Sequence, residues 1–339
     1  VRGVGSVRGG GVSGWVQFDP WIICNTGISR RNSPQWGPMA QLLPAALNYK
    51  SIAASSSHMD DLVIRTAREE EVPVFIEWAR REGWNPGLHD GECHYAVDPA
   101  GWFVAEADGE IAGTVAVSNY DSRFSFGGFY VVREDMRSKG LGWQLSSAAI
   151  RHAGDRNLGI DGVYEMQEKY SSRMGFRFAY RNIRWRGIAD GRRQAGLGSA
   201  QEVPFSALVA YDALHFPAER KRFLERWIRT PGSWSSALVE GGSLRGYGVI
   251  RRCFEGYKIG PLFADTPEIG ECILEDLTGR DEVRGQLFFF DTPEPNREAV
   301  AMAQEREMEE VFGTARMYTK EKPPLPVGRI FGVTTFEMG

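Results

Sequence analysis

Cysteine is scarce and scattered: Cys24, Cys93, Cys253 and Cys272 are the four in 339 residues, with no C-x-x-C pair and no Cys/His cluster. That spacing excludes a disulfide framework and a structural zinc site, and it fits a reducing compartment. Long hydrophobic runs are also missing, so no segment is built to span a bilayer. Nor is there an excess of positive charge. The 40 Lys and Arg face 44 Asp and Glu for a net charge of -4, which leaves no electrostatic footprint for nucleic acid. No Ser/His/Asp or Cys/His set is legible for covalent catalysis, and nothing in the pattern requires a metal. What remains is 42% hydrophobic and 25% charged, the composition of a globular protein. The length suggests two domains.

Residues 1–59 differ from the rest. They are rich in Gly and Ser, and carry Arg2, Arg8, Arg30, Arg31 and Lys50 against the single acid Asp19. No hydrophobic period is visible. The stretch reads as a disordered leader, as sequence ahead of a true start at Met39 or Met59, or as an organelle transit peptide, since it is basic and acid-poor. A cytoplasmic location is expected, or a mitochondrial or plastid one if the stretch is a transit peptide. It is left out of the fold.

From Asp61 the periodicity becomes legible. Residues 62–65 read as a strand. Thr66 is placed to cap a helix with Glu69 completing a capping box, and Val74, Phe75, Trp78 and Ala79 mark one helical face up to Arg81. Three strands follow as a meander, over 101–106, 111–117 and 124–132, with the turn Ala107-Asp108-Gly109-Glu110 between the first two. The third contains Gly127-Gly128. Paired glycines inside a strand mark a bulge or a close approach by a ligand or another backbone.

The most informative stretch is Phe126 to Ile150. Phe129-Tyr130-Val131-Val132 suits a buried strand. Arg133 to Lys139 is a solvated loop, and Gly140-Leu141-Gly142 opens a helix with apolar residues at Leu141, Leu145, Ala148 and Ala149. The first turn of that helix turns unbonded N–H groups toward the loop, and glycine lets a ligand approach them. Such an end holds phosphate or pyrophosphate. The spacing Arg137-x-x-Gly140-x-Gly142 is neither the dinucleotide fingerprint nor a P-loop. It resembles the acyl-CoA-binding motif of the GNAT superfamily of N-acyltransferases, and it follows a strand and precedes a helix as that motif does.

The resemblance implies an α+β fold, a mixed and mostly antiparallel sheet flanked by helices. It implies that Tyr130, Val131, Val132, Arg137, Ser138, Lys139, Gly140, Leu141, Gly142 and Trp143 hold CoA, with acetyl-CoA as co-substrate and no metal. It further implies a bulge in the third strand, whose N–H polarises the thioester. Beyond the motif helix, residues 160–163 read as a strand, Glu165 to Met174 as a helix, then Gly175-Phe176 and a strand over 178–185. In the family a Tyr on such a helix protonates the departing thiolate. Tyr170 occupies that position, with four residues before Gly175-Phe176 where the family usually has three. Asp161 and Glu165 flank the same cleft and are the candidates for the general base; each also reads as a solvated surface carboxylate.

Residues 189–203 are polar, glycine-rich and aperiodic, a linker between a domain over 60–188 and another over 204–339. The second half repeats the order of elements of the first: a strand-like run over 205–211, a helical stretch to Ile228, strands over 234–239, 244–251 and 257–264, a helix from Pro267, a strand over 287–290, a helix over 295–310, and strand-like runs over 312–318 and 330–336. Asp265-Thr266-Pro267-Glu268 stands where the CoA motif would be. Proline has no N–H to offer phosphate, and the two acids repel it. Gly246-Tyr247-Gly248-Val249-Ile250-Arg251, Gly256 to Asp265, Pro293-Glu294-Pro295-Asn296, Thr314 to Tyr318 and Phe331-Gly332-Val333-Thr334-Thr335 resemble a two-domain GNAT family with an active-type first domain and a degenerate second. The implied activity is direct acetyl transfer to an amine, of a small molecule or a peptide; the alternative is a non-catalytic acyl-CoA sensor or scaffold. The acceptor and the oligomeric state are not fixed by the sequence.

Overall fold

The structure, a computed structural model, describes residues 62–339. The leader reading of residues 1–59, and Cys24 with it, lie outside the described residues.

Alternation of apolar residues builds the first half. Strands β1 (Val63–Thr66), β2 (Trp102–Ala107), β3 (Glu110–Asn119) and β4 (Phe124–Val132) pair antiparallel in sequence order. Successive side chains of a strand face opposite ways. Val115 and Val117 of β3 therefore pack with helix α3 (Leu141–Ala153), while Ala116 between them packs with helix α1 (Val72–Arg81) on the other face. Leu141, Leu145, Ala149 and Ala153 form the buried stripe of α3; Val72, Phe75, Ile76 and Ala79 form that of α1. Strand β5 (Asn157–Val163) then runs parallel to β4, and helix α4 (Gln167–Met174) leads to β6 (Arg177–Ile188).

The second half repeats this plan. A short helix α2 (Asp90–Tyr95) belongs to the first half; α5 (Phe205–Asp212) and α6 (Lys221–Trp227) open the second. Strands β7 (Ser233–Glu240), β8 (Ser243–Arg252) and β9 (Tyr257–Ala264) form a meander, α7 (Pro267–Thr278) covers it, and β10 (Leu287–Pro293) runs parallel to β9. Helix α8 (Arg297–Glu305), β11 (Glu309–Tyr318) and β12 (Ile330–Gly332) complete the chain.

The closing strands of the two halves are exchanged. The sheet order is β1-β2-β3-β4-β5-β11-β6-β10-β9-β8-β7, with β12 on β9. Thus β11, from the second half, lies against β5 of the first, and β6, from the first half, lies against β10 of the second. The exchanged pair β6 and β11 meet antiparallel at the centre. Neither half owns a complete sheet. The seam is stitched by buried ion pairs: Arg316 of β11 reaches Asp161 of β5, and Arg251 of β8 reaches Asp90 of α2 at 2.8 Å.

Several sequence expectations are corrected. Residues 205–211 form α5, not a strand; a short apolar run carries no period that separates the two. Thr66 ends β1 instead of capping a helix, and ahead of α1 the Glu71 carboxylate accepts from the Arg68 amide at 2.8 Å. Strand β5 begins at Asn157, and only residues 330–332 of the run 330–336 are strand.

Candidate active site

Strands β4 and β5 pair only over Phe124–Gly127 and Asn157–Ile160. Beyond that point β4 stays with β3 while β5 follows β11, from Gly159 opposite Tyr318 to Val163 opposite Thr314. The two parallel strands therefore part, and the backbone of residues 128–132 faces a gap. The divergence coincides with a register shift in which Thr114 pairs with Val131 but Ala116 with Gly128. The extra residue is absorbed at Phe129, whose φ of 48° is left-handed, a costly conformation for a bulky residue. The Thr114 hydroxyl holds it by donating to the Phe129 carbonyl at 2.8 Å, and the Phe129 ring is fully buried. The bulge is thus at Phe129, not within the glycine pair. Gly128 serves the other purpose of a strand glycine: a Cβ there would land on the Glu337 carbonyl oxygen, so the C-terminal segment lies directly on β4.

The mouth of α3 opens beside this gap. Gly140 is its N-cap, with φ of 85°, and Ser138 is also left-handed with φ of 64°. The Gly140 carbonyl accepts from the amides of Trp143 and Gln144, which leaves the N–H groups of residues 140–142 ahead of the first helical bond. A Cβ on Gly142 would land on the Tyr130 hydroxyl, so glycine there lets strand and helix close up. Burial raises the Tyr130 phenol pKa.

The CoA-loop residues divide in the structure. Tyr130, Val131, Val132, Arg137, Ser138 and Gly142 line a cavity of about 520 Å³. Leu141 is buried in the core, so only its backbone is free to face a ligand. The Lys139 ammonium sits 3.9 Å from the Met136 sulfur, and Trp143 is 53% exposed on the outer side of the helix. Arg137 is spoken for: Nε donates to the Val132 carbonyl at 2.9 Å and Nη2 to the Glu82 carboxylate at 2.6 Å. It ties the loop to the end of α1, and its charge is met by Glu82 before any phosphate arrives.

Tyr170 lines the same cavity. Its ring packs on Gly162 of β5, where any Cβ would collide with it, and against Phe176. Burial, with Tyr130 adding, pushes its phenol up to about 12, so it stays protonated. Of the two proposed bases, Glu165 takes the solvated surface position that is the plain alternative for both, and Asp161 does not. Asp161 has a buried side chain, with its two oxygens on Arg316 at 2.7 and 2.6 Å and one on Asn182 at 2.8 Å. Asp161 also lines the cavity, and burial raises its pKa against the pull of Arg316, but three accepted hydrogen bonds commit it to holding β5 to β11. Glu165, on the 3-10 turn ahead of α4, is exposed and outside the cavity lining.

The far wall comes from residues that sequence reasoning passed over. Phe312, Thr314, Phe336 and Glu337 of the second half line the cavity, with Arg184 of β6 and Trp84. The Arg184 guanidinium stacks on the Phe336 ring at 4.7 Å and is held by Asp291. The signal was present: Glu337 is a lone acid in the apolar run Phe331 to Gly339.

In the second half the corresponding gap is closed. β9 and β10 pair only over Tyr257–Ile259 and Phe288–Phe290, and β12 then takes the free side of β9, with Ile330 opposite Phe263 and Gly332 opposite Leu262. Helix α7 is capped by its own Thr266 side chain, which accepts from the Ile269 amide. Among the described residues no group of three or more His, Cys, Asp or Glu is arranged to hold a metal ion.

A parted pair of parallel strands beside an open helix mouth, next to a bulged strand, is the arrangement of an acyl-CoA-dependent N-acyltransferase. Comparison with known proteins agrees. The model described as the acetyltransferase (GNAT) family matches residues 64–169, and that of the acetyltransferase (GNAT) domain matches residues 208–332. The chain belongs to the GNAT superfamily as a two-domain N-acyltransferase. It is 27% identical over 277 residues to holothin acyltransferase of Pseudoalteromonas sp. (strain SANK 73390), covering 81% of this chain and 94% of that one. A candidate acetyltransferase of Pyrococcus horikoshii shares the fold with a TM-score of 0.70 at 20% identity, over 85% of this chain and 99% of that one. A tandem GNAT protein from the clavulanic acid biosynthesis pathway does so with a TM-score of 0.55 at 14% identity, over 77% of this chain and 100% of that one.

Proposed function

We propose that the protein transfers an acetyl group from acetyl-CoA to the primary amine of a small molecule, by direct attack within a ternary complex. The observation that carries this is the gap between β4 and β5, which opens at Gly128 beside the free amides of residues 140–142. The diphosphate of CoA sits on those amides. The pantetheine arm takes the place of the missing ladder along residues 128–132, and the acyl carbonyl lies at the Phe129 bulge, where backbone N–H groups stabilise the developing oxyanion.

Direct transfer also fits the cysteines. Burial pushes the thiols of Cys93 and Cys253 up to about 12 and about 11, and that of Cys272 upward, so among the described residues no cysteine is activated to carry an acyl group. A small-molecule acceptor fits the cleft of about 520 Å³, and a relative named for action on holothin points the same way. Tyr170, protonated and in the cavity, is the proton source for the departing thiolate.

The test is turnover of acetyl-CoA with a panel of primary amines, following free thiol and the amide product. Tyr170→Phe removes the proton while keeping the ring on Gly162. It is expected to lower kcat on the order of 100-fold, the usual scale for losing a general acid, and to leave the KM for acetyl-CoA within about twofold, since uniform binding is untouched. An unchanged kcat would remove Tyr170 from the mechanism.

A further inference from the structure

We infer that Glu337 is the acceptor site of this enzyme: its carboxylate receives the substrate's ammonium group and takes the first proton from it. This rests on the acyl-transfer reading above and adds the residue and the class of group it binds.

The argument begins with an exception. Buried acids in the described residues are otherwise committed. Asp90 is paired with Arg251, Asp291 with Arg184, Asp212 with Arg220 and Glu71 with Arg65, while Asp276 is held by Ser236 and Arg193. Glu337 is 4% exposed, and neither of its carboxylate oxygens has a hydrogen-bond partner. An unmatched buried carboxylate is expensive to keep. Such a group persists where function retains it.

Its position is the second observation. The Glu337 carbonyl lies where a Cβ of Gly128 would be, so the residue abuts β4 one position before the Phe129 bulge. Glu337 also lines the cavity; its carboxylate oxygens are covered in this conformation, so a turn of the side chain brings them to the ligand. The C-terminal segment is fixed there: the Tyr120 hydroxyl donates to the Met338 carbonyl at 3.1 Å, and the Met338 amide donates to the Thr335 hydroxyl at 2.9 Å. The backbone that carries this carboxylate is thereby held beside the point where the acyl carbonyl is placed.

The rival reading is a structural counter-charge. Arg184 and Arg251 are already matched by Asp291 and Asp90. Lys258 is the buried cation left over, and it feels the Glu337 charge as Arg184 and Arg251 do, but its ammonium is set on the Trp84 carbonyl at 3.3 Å, and among the described residues no hydrogen bond or ion pair joins any of the three to Glu337. The cavity lining it shares includes Phe312, Phe336 and Trp84, with the Arg184 guanidinium, matched by Asp291, over the two phenyl rings. One carboxylate framed by aromatic rings selects a primary ammonium carried on a flat or apolar body.

The step balances as follows. Glu337 takes one proton from the ammonium, freeing the nitrogen electron pair. The N–C bond forms on the acyl carbon as the C–S bond breaks, and the bonding pair leaves on sulfur. Tyr170 protonates the thiolate, and the second nitrogen proton makes good its loss. The proton on Glu337 returns to solvent.

The test is calorimetric titration of the full chain saturated with CoA. The probes are benzylamine, phenethylamine and tryptamine as their ammonium salts, each against the alcohol of the same shape. Wild type and Glu337→Gln are compared. The expected result is at least about tenfold preference for ammonium over alcohol in the wild type, the scale of a charged hydrogen bond, and loss of that preference in Glu337→Gln with CoA affinity unchanged. If no ammonium probe outcompetes its alcohol in the wild type, the assignment is overturned, and that comparison needs no variant to fold. If Glu337→Gln lowers only the melting temperature and keeps the preference, Glu337 is a structural counter-charge. Failure of the wild type to bind CoA at all would instead sink the acyl-transfer reading beneath it.

Discussion

A chain ended at Ile188 is expected to lose CoA binding and its cooperative fold together. The sequence suggests a self-sufficient domain over 60–188, but the sheet order places β11 between β5 and β6. Removing the second half strips β5 of its ladder from Gly159 to Val163, and it strips β6 of both neighbours, since β11 and β10 both leave. Asp161 loses Arg316 and becomes a buried carboxylate without its cation, at a cost of about 3–5 kcal/mol. Domain stabilities are about 5–15 kcal/mol in total, so the lost ladders and this single charge are together enough. Bare strand edges of this kind also invite aggregation. Size-exclusion chromatography and a thermal melt followed by circular dichroism decide it. The expected result is aggregate or a melt without a transition. A monomeric fragment with a sharp melt and undiminished CoA affinity would show that β6 returns to β5 on its own and that the exchange is dispensable.

Gly142→Asp is expected to weaken acetyl-CoA binding on the order of 100-fold or more, about 2.7 kcal/mol. Two effects act in the same direction. The new Cβ collides with the Tyr130 hydroxyl, which forces β4 and α3 apart at the cavity wall. The carboxylate then stands among amides that otherwise face a diphosphate, opposing it by charge. Gly142→Ala separates the two: it keeps the collision without the charge and is expected to fall between. Calorimetry with acetyl-CoA reads both variants. Affinity within twofold of wild type for Gly142→Asp would mean that the diphosphate lies elsewhere.

Local chemistry carried much of this protein in its sequence. The meander, the loop and the helix mouth at Gly140 follow from short-range patterns: alternation in β2 to β4, charge in the loop, and glycine where φ is 85°. The repeat of elements was legible for the same reason. What was not legible is which strand pairs with which. β6 and β11 have similar apolar patterns, and nothing local tells a strand whether its neighbour comes from its own half. The site suffered accordingly. Asp161 read as a candidate base because it flanks the cleft; its commitment to Arg316 depends on a strand 155 residues away in the chain. Glu337 stands out in the sequence as a lone acid, but only the tertiary path of the C-terminal segment brings it onto Gly128. Arg137 was found, but its partner Glu82 was not, because the α1 end and the loop meet only through packing.

The two halves also show how one plan yields an open and a closed site. Both have a parallel pair that parts after three or four residues. In the second half β12 fills the opening and Pro267 removes an amide from the helix mouth. The chain then continues from β12 to the wall of the first site, ending at Glu337 and its neighbours. The degenerate half has kept its meander of β7, β8 and β9 and lends residues of its C-terminal segment to the cavity of the other.

The central claim is that main-chain amides at the start of α3 hold the diphosphate of CoA. It is tested most directly by backbone amide NMR of the full chain titrated with acetyl-CoA, with the glycines labelled. The account predicts large shifts for the Gly140 and Gly142 amides that saturate with the ligand, while those of Gly246 and Gly248 in the closed half stay in place. Tight binding that leaves Gly140 and Gly142 unmoved would contradict it.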